Sequence, residues 1–246
     1  MNGGLSFLSD ERTLLGTGRR RRCDRMPGTD LCAKFYHAPH ALPPGTRLTT
    51  RLNIAWGRRC RFANINYREW QYHQRLKRQL PDHMAAVFPE HTEPVHCPQR
   101  GWGIIETVIL NADGTHPRKV ADVLRSVDDP ALGRSLVEAA ERLFKLFVEH
   151  GVCFFDPSNI LVQWTGPGTF RLRIADFEPS CRALIPCLSR IDFYVRCKVR
   201  RRATRYLRRL ESILDTAHRR HGTPFVRCPQ RRSLFQRIGM AAGLMM

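Results

Sequence analysis

The chain has 246 residues, 42% hydrophobic and 26% charged, enough to bury a core in one large domain or two small lobes without metal or disulfide staples. Lys and Arg number 41 against 22 acidic residues, a net charge of +19 that favours contact with polyanions such as nucleotides, nucleic acid or anionic surfaces. Nine Cys without C-x-x-C spacing argue against a disulfide framework or structural zinc. No stretch approaches the ~18–20 apolar residues of a membrane helix, and no secretory leader is read at the N-terminus; a cytoplasmic location is expected.

Residues 13–36, "TLLGTGRRRRCDRMPGTDLCAKFY", read as three strands separated by a glycine turn and the turn "MPGTD". In the third strand Leu31, Ala33 and Phe35 alternate with Cys32, Lys34 and Tyr36. The Pro- and Gly-bearing stretch 37–60 lacks periodicity and predicts an exposed loop. A helix follows, with Asn66 and Glu69 at capping-box spacing and Glu69, Tyr72, Leu76 and Leu80 on one face. "GWGIIETVIL" (101–110) predicts a buried strand ended by the turn "NADG".

The strongest pattern spans 131–150. Leu136, Val137, Ala140, Leu143, Phe144, Phe147 and Val148 form one apolar helix face, stopped by Gly151. Two strands, "NILVQW" and "FRLRIADF", flank "TGPG". A last amphipathic helix over 195–214 lines up Val195, Val199, Ala203, Tyr206, Leu207, Leu210 and Leu214. Eight basic residues between Arg196 and Arg209 cover its remainder, a solvated face or a polyanion contact. The order of elements predicts an α+β protein in two lobes: 1–110 with an insertion at 37–60, a helical 111–217, and a basic tail 218–246.

Candidate chemistry gathers in a few places. Gly16 and Gly18 allow close backbone approach to an anion, or form an ordinary hairpin turn. Lys34 is a nucleotide contact or an edge-strand lysine, and Glu69 its ion-pair partner or a helix cap. Asn159 and Asp176 lie at facing strand ends and offer oxygen ligands to magnesium, or act as a turn former and a cap. His37 with His40, and His96 with Cys97, lack the further ligands that would make them metal sites, and Cys153 with His150 reads as a small buried Cys and a helix-end His sooner than as a nucleophile and its base.

These residues carry a resemblance. "LLGTGRRRRCDRMPGTDLCAKFY", "NINYREWQYHQRL", "NIL", "IADFEPS" and "CLSRIDFYVRCKVRRRATRYLRRL" resemble the PhoP regulatory network protein YrbL family, small bacterial proteins with a protein-kinase-like fold; the likeness covers roughly residues 13–210. It implies a bilobal fold with a small antiparallel-sheet lobe and a mostly helical lobe. It also implies a glycine loop at Gly16 and Gly18, a nucleotide-contacting Lys34 held by Glu69, and a hinge through 104–110 with contacts at Glu106 and Val108. Asn159 and Asp176 would be the metal ligands, and ATP and Mg²⁺ the cofactors. The pattern departs in two places: Phe154 replaces the catalytic aspartate and Glu178 the glycine after "DF". Phosphoryl transfer rests mainly on positioning and charge neutralisation, and losing a base costs roughly 10²–10⁴-fold. The expected function is therefore nucleotide binding with weak or no catalysis and a regulatory role. An active phosphotransferase using Asp156 and a non-enzymatic polyanion binder are the alternatives.

Overall fold

The computed structural model describes residues 14–176, except Arg19, Pro39, His40, Pro43, Cys153 and Phe155, and residues 192–220. Glu178, His40, Cys153 and nearly all of the 218–246 tail therefore lie outside the described residues. The chain is a mixed α+β protein, and it divides into two compact units. The first joins Met1–Arg118 to Asn159–Pro179; the second joins Lys119–Ser158 to Ser180–Met246. The hairpin read from sequence as part of the second lobe thus groups with the first unit.

The first unit is built on a five-stranded antiparallel sheet of order β1–β2–β3–β5–β4. Its strands are β1 (Leu14–Thr17), β2 (Arg21–Arg25), β3 (Leu31–Tyr36), β4 (Val95–Cys97) and β5 (Gly101–Thr107). The three expected opening strands are present. Strand β3 is central, not an edge, and five of its six residues are buried because both faces are covered. Phe35, fully buried, lies over Gly103 directly across the β3–β5 ladder, where a side chain would collide with the ring.

The expected loop over 37–60 is corrected: helix α1 spans Leu48–Arg59. Its prolines all precede the helix, and it buries only Ile54 and Gly57 while Leu48, Leu52 and Trp56 stay exposed, so no core-facing stripe marked it. Helix α2 runs Ile65–Gln79. Its cap is Asn64, not Asn66: the Asn64 side-chain oxygen accepts from the Asn66 amide at 2.8 Å. The Asn64 side-chain nitrogen donates to the carbonyls of Gly57 (2.6 Å) and Trp102 (2.9 Å), tying the start of α2 to α1 and β5. A short helix α3 (Asp82–Ala85) and strand β4 were not anticipated, each too brief to show a period.

After the two-residue strand β6 (Arg118–Lys119), the hairpin β7 (Ile160–Gly166) and β8 (Thr169–Ile174) forms where the sequence indicated it. It is fastened to the rest of the first unit by polar bonds. The Asn111 side chain accepts from the Trp164 amide (2.9 Å), Gln163 Nε2 donates to the Leu110 carbonyl (2.5 Å), and the Ile174 amide donates to the Val87 carbonyl (2.9 Å).

The second unit contains α4 (Val120–Ser126), α5 (Pro130–Glu149) and α6 (Asp192–Arg220). Helix α5 starts on Asp129, whose side chain accepts from the Ala131 amide, and carries Pro at its first position. It ends at Gly151, whose φ of 62° favours glycine. Every apolar residue predicted for the α5 and α6 stripes is buried. Phe144 packs edge-to-face on Tyr206 at 6.0 Å between ring centroids, locking α5 against α6. Among the described residues no helix is long and apolar enough to cross a membrane.

Candidate functional site

Cross-strand register decides which side chains of the first sheet meet. Cys23 opposes Lys34 and Cys32 opposes Glu106, so Cys23, Lys34, Cys32 and Glu106 share a face. Arg21, two residues before Cys23, falls on that face by the strand's period of two. On α2, Glu69 and His73 are one turn apart on the buried side. Hairpin β7–β8 then brings Asp176, just past its second strand, to the same place.

The result is an ionic cluster, buried except at Asp176, which stands half-exposed at its edge. Arg21, 9% exposed, donates through Nη1 to Glu69 and to Asn66 (2.9 Å), and through Nη2 to Asp176. Lys34 Nζ forms an ion pair with Glu106 at 2.6 Å and donates to the Ala175 carbonyl at 2.8 Å. His91 Nε2 lies 3.0 Å from the second Glu106 oxygen. Two cations face three carboxylates. The expected pairing is therefore exchanged: Glu69 takes Arg21, and Lys34 takes Glu106, which reaches it from the neighbouring strand.

Electrostatics hold the cluster charged. Burial alone would raise the Glu106 carboxyl, but Lys34 and His91 lower it to about 2. Burial likewise opposes charge on Lys34 and Arg21, yet the surrounding carboxylates push both above their ordinary values. Asp176 is held below the usual carboxylate range, burial being overcome by Arg21 and Lys34.

Beside the cluster, Gly16 and Gly18 sit in the β1–β2 hairpin, the Gly18 amide donating to the Arg21 carbonyl at 2.8 Å. A side chain at Gly16 would meet nothing within 4 Å, and one at Gly18 would only touch the Arg21 carbonyl at 3.6 Å. The glycines are therefore not required by internal packing. His37, at the end of β3, braces this turn by donating from Nε2 to the Gly18 carbonyl at 2.7 Å. Of the two residues expected to contact a nucleotide from 104–110, Glu106 belongs to the cluster, and the Val108 amide donates to the Asp30 carbonyl at 2.7 Å. Asn159 closes the neck of the hairpin, its carbonyl accepting from the Ala175 amide at 3.1 Å.

Two residues of the expected catalytic loop belong to the second unit. Phe154, at the position where the resemblance would put a base, is 2% exposed and packs on Phe147 (5.5 Å) and Phe144 (6.4 Å) as an aromatic core contact. Asp156 is exposed, and its Oδ1 accepts from the Ser158 amide (3.2 Å) and hydroxyl (2.5 Å). This local turn gives the carboxylate a structural task.

Glu69, His91 and Glu106 have ligand atoms within 4.8 Å of one another, a geometry a metal could use. Both acids are already neutralised, however, by Arg21 and Lys34. Asp176 is bound by Arg21 as well, so the donors present do not fit a resident magnesium ion. His73, 1% exposed, has neither ring nitrogen bonded and stands edge-on to His91 at 4.4 Å; burial lowers its pKa to about 3.

Sequence reasoning missed Arg21, His73 and His91 as members of this cluster. Arg21 was hidden inside a run of four arginines; counting the hairpin register back from Lys34 would have singled it out. The two histidines carried no motif. The chain matches no protein-family model, and no curated protein matches it in sequence.

Proposed function

We propose that the chain is a bilobal, kinase-like nucleotide-binding protein whose first unit holds the phosphates, with weak or no phosphoryl transfer and a regulatory role. The observation that carries this is the Lys34–Glu106 and Arg21–Glu69–Asp176 cluster next to a glycine hairpin with free space beside it. Fixed cations next to open backbone support this reading, since charged donors and backbone N–H groups are the usual partners of phosphate oxygens. The burial of Phe154 and the local bonding of Asp156 support poor catalysis, since neither supplies a free base. ATP is the nucleotide that the resemblance implies.

Thermal melting with ATP tests this. A ligand at a hundred times its Kd stabilises by about 2.7 kcal/mol, so ATP should raise the Tm of the wild type and leave that of Lys34→Met unmoved. An unchanged wild-type Tm at millimolar ATP overturns it. Radiolabelled phosphate transfer lost in Asp176→Ala would instead select the active phosphotransferase.

A second reading draws on α6, where Arg201, Arg205, Arg208 and Arg209 are all exposed. That basic face suits a nucleic-acid or other polyanion partner, with binding that weakens steeply with salt.

A further inference from the structure

We infer that Arg21 is the fixed cation of this site, standing where a nucleotide cleft would hold a divalent metal ion, so that phosphate binding by the first unit is independent of divalent metal. The phosphate half of this rests on the nucleotide reading above; the metal half does not. Arg21 is buried and spans the carboxylates of Glu69 and Asp176, with Asn66 as a third acceptor. A guanidinium stays charged at every accessible pH and offers five donors in a planar fork. Three are used here, which leaves two for a phosphate oxygen.

A divalent ion at Asp176 would share its carboxylate with a guanidinium already bonded to it, an arrangement of adjacent like charges. Expelling Arg21 instead would strip a buried cation of its partners, which is strongly unfavourable. Lys34 closes the other exit, since it binds Glu106 and the Ala175 carbonyl beside Asp176. The residue type is decisive: a short neutral side chain at position 21 would leave Glu69 and Asp176 without the cation bonded to both and open to a metal.

The experiment compares wild type, Arg21→Ala and Arg21→Lys, each first checked for folding by circular dichroism. Mn²⁺ binding is read by the loss of its free-ion electron paramagnetic resonance signal, and ATP binding by calorimetry in EDTA and in Mg²⁺. Wild type should bind no Mn²⁺ at micromolar levels, and its ATP Kd should agree within about twofold in EDTA and in Mg²⁺. Arg21→Ala should gain a Mn²⁺ site, and its ATP affinity should become at least tenfold dependent on Mg²⁺; Arg21→Lys should behave as wild type. If Arg21→Ala does not fold, the wild-type and Arg21→Lys measurements still decide. Wild-type Mn²⁺ binding that disappears in Asp176→Asn, or a tenfold loss of ATP affinity in EDTA, overturns the inference. Absence of ATP binding in both media sinks the nucleotide reading and the phosphate half with it, while the Mn²⁺ comparison still judges the role of Arg21.

Discussion

Three consecutive arginines, 20 to 22, differ by one thing: only Arg21 is buried. Strand alternation turns it inward, and there it becomes the partner of three side chains from two distant parts of the first unit, Asn66 and Glu69 on α2 and Asp176 after β8. His73 is the opposite case, a buried imidazole with no bond to either nitrogen. Its folded pKa of about 3 lies below the ordinary 6.5, so the unfolded chain takes up the proton first. Its contribution to stability is complete above pH 6.5 and is lost as pH falls towards 3, at no more than about 1.4 kcal/mol per pH unit. Glu106, lowered to about 2 from 4.5, adds a further loss only below pH 4.5. Urea unfolding of wild type between pH 7.5 and 5 should therefore show declining stability, and His73→Phe should flatten that decline. An unchanged slope in the variant would refute the assignment.

At the scale of elements, two kinds of glycine separate structure from function. Gly101 opens β5 at φ 78°, and a Cβ there would run into the Arg58 backbone. Gly101→Ala should cost at least about 1–3 kcal/mol, measured as a lower urea midpoint. Gly16→Ala and Gly18→Ala should leave that midpoint within about 0.5 kcal/mol yet weaken ATP binding, because the added methyl groups meet at most an ordinary contact with the Arg21 carbonyl within the protein but would obstruct a ligand. Equal ATP affinity in all three proteins would remove the glycine hairpin from the site. Helices α5 and α6 were legible because each buries a continuous stripe along many turns. Helix α1 was not, since its apolar Leu48, Leu52 and Trp56 face outward and its core contact is only Ile54 and Gly57. For the same reason Lys34, Glu69 and Asp176 could be named from their sequence setting while their pairing could not. Partner choice depends on register, and Glu106 lies on the strand beside Lys34.

At the scale of the whole molecule, the excess of 19 positive charges is distributed unevenly in role. Arg21 and Lys34 are buried in the ion-paired cluster of the first unit, whereas Arg201, Arg205, Arg208 and Arg209 face outward along α6. If that face binds polyanions, affinity for a short DNA duplex should fall about 10-fold or more between 50 and 200 mM salt, with a logarithmic slope near −0.9 per phosphate contacted. Changing all four to Glu should abolish that binding and leave the ATP-induced Tm shift intact. Salt-insensitive binding, or none, would assign the face to solvation.

The first unit is assembled from two stretches of chain with about forty residues of the second unit between them. Arg21 meets Asp176 across 155 positions, and Lys34 meets the Ala175 carbonyl across 141. On a ribosome the sheet and α2 emerge long before the hairpin that completes their charge balance. Until then Arg21 and Lys34 have only Glu69 and Glu106 to neutralise them, and the sheet waits, half-closed, on a segment translated after α5.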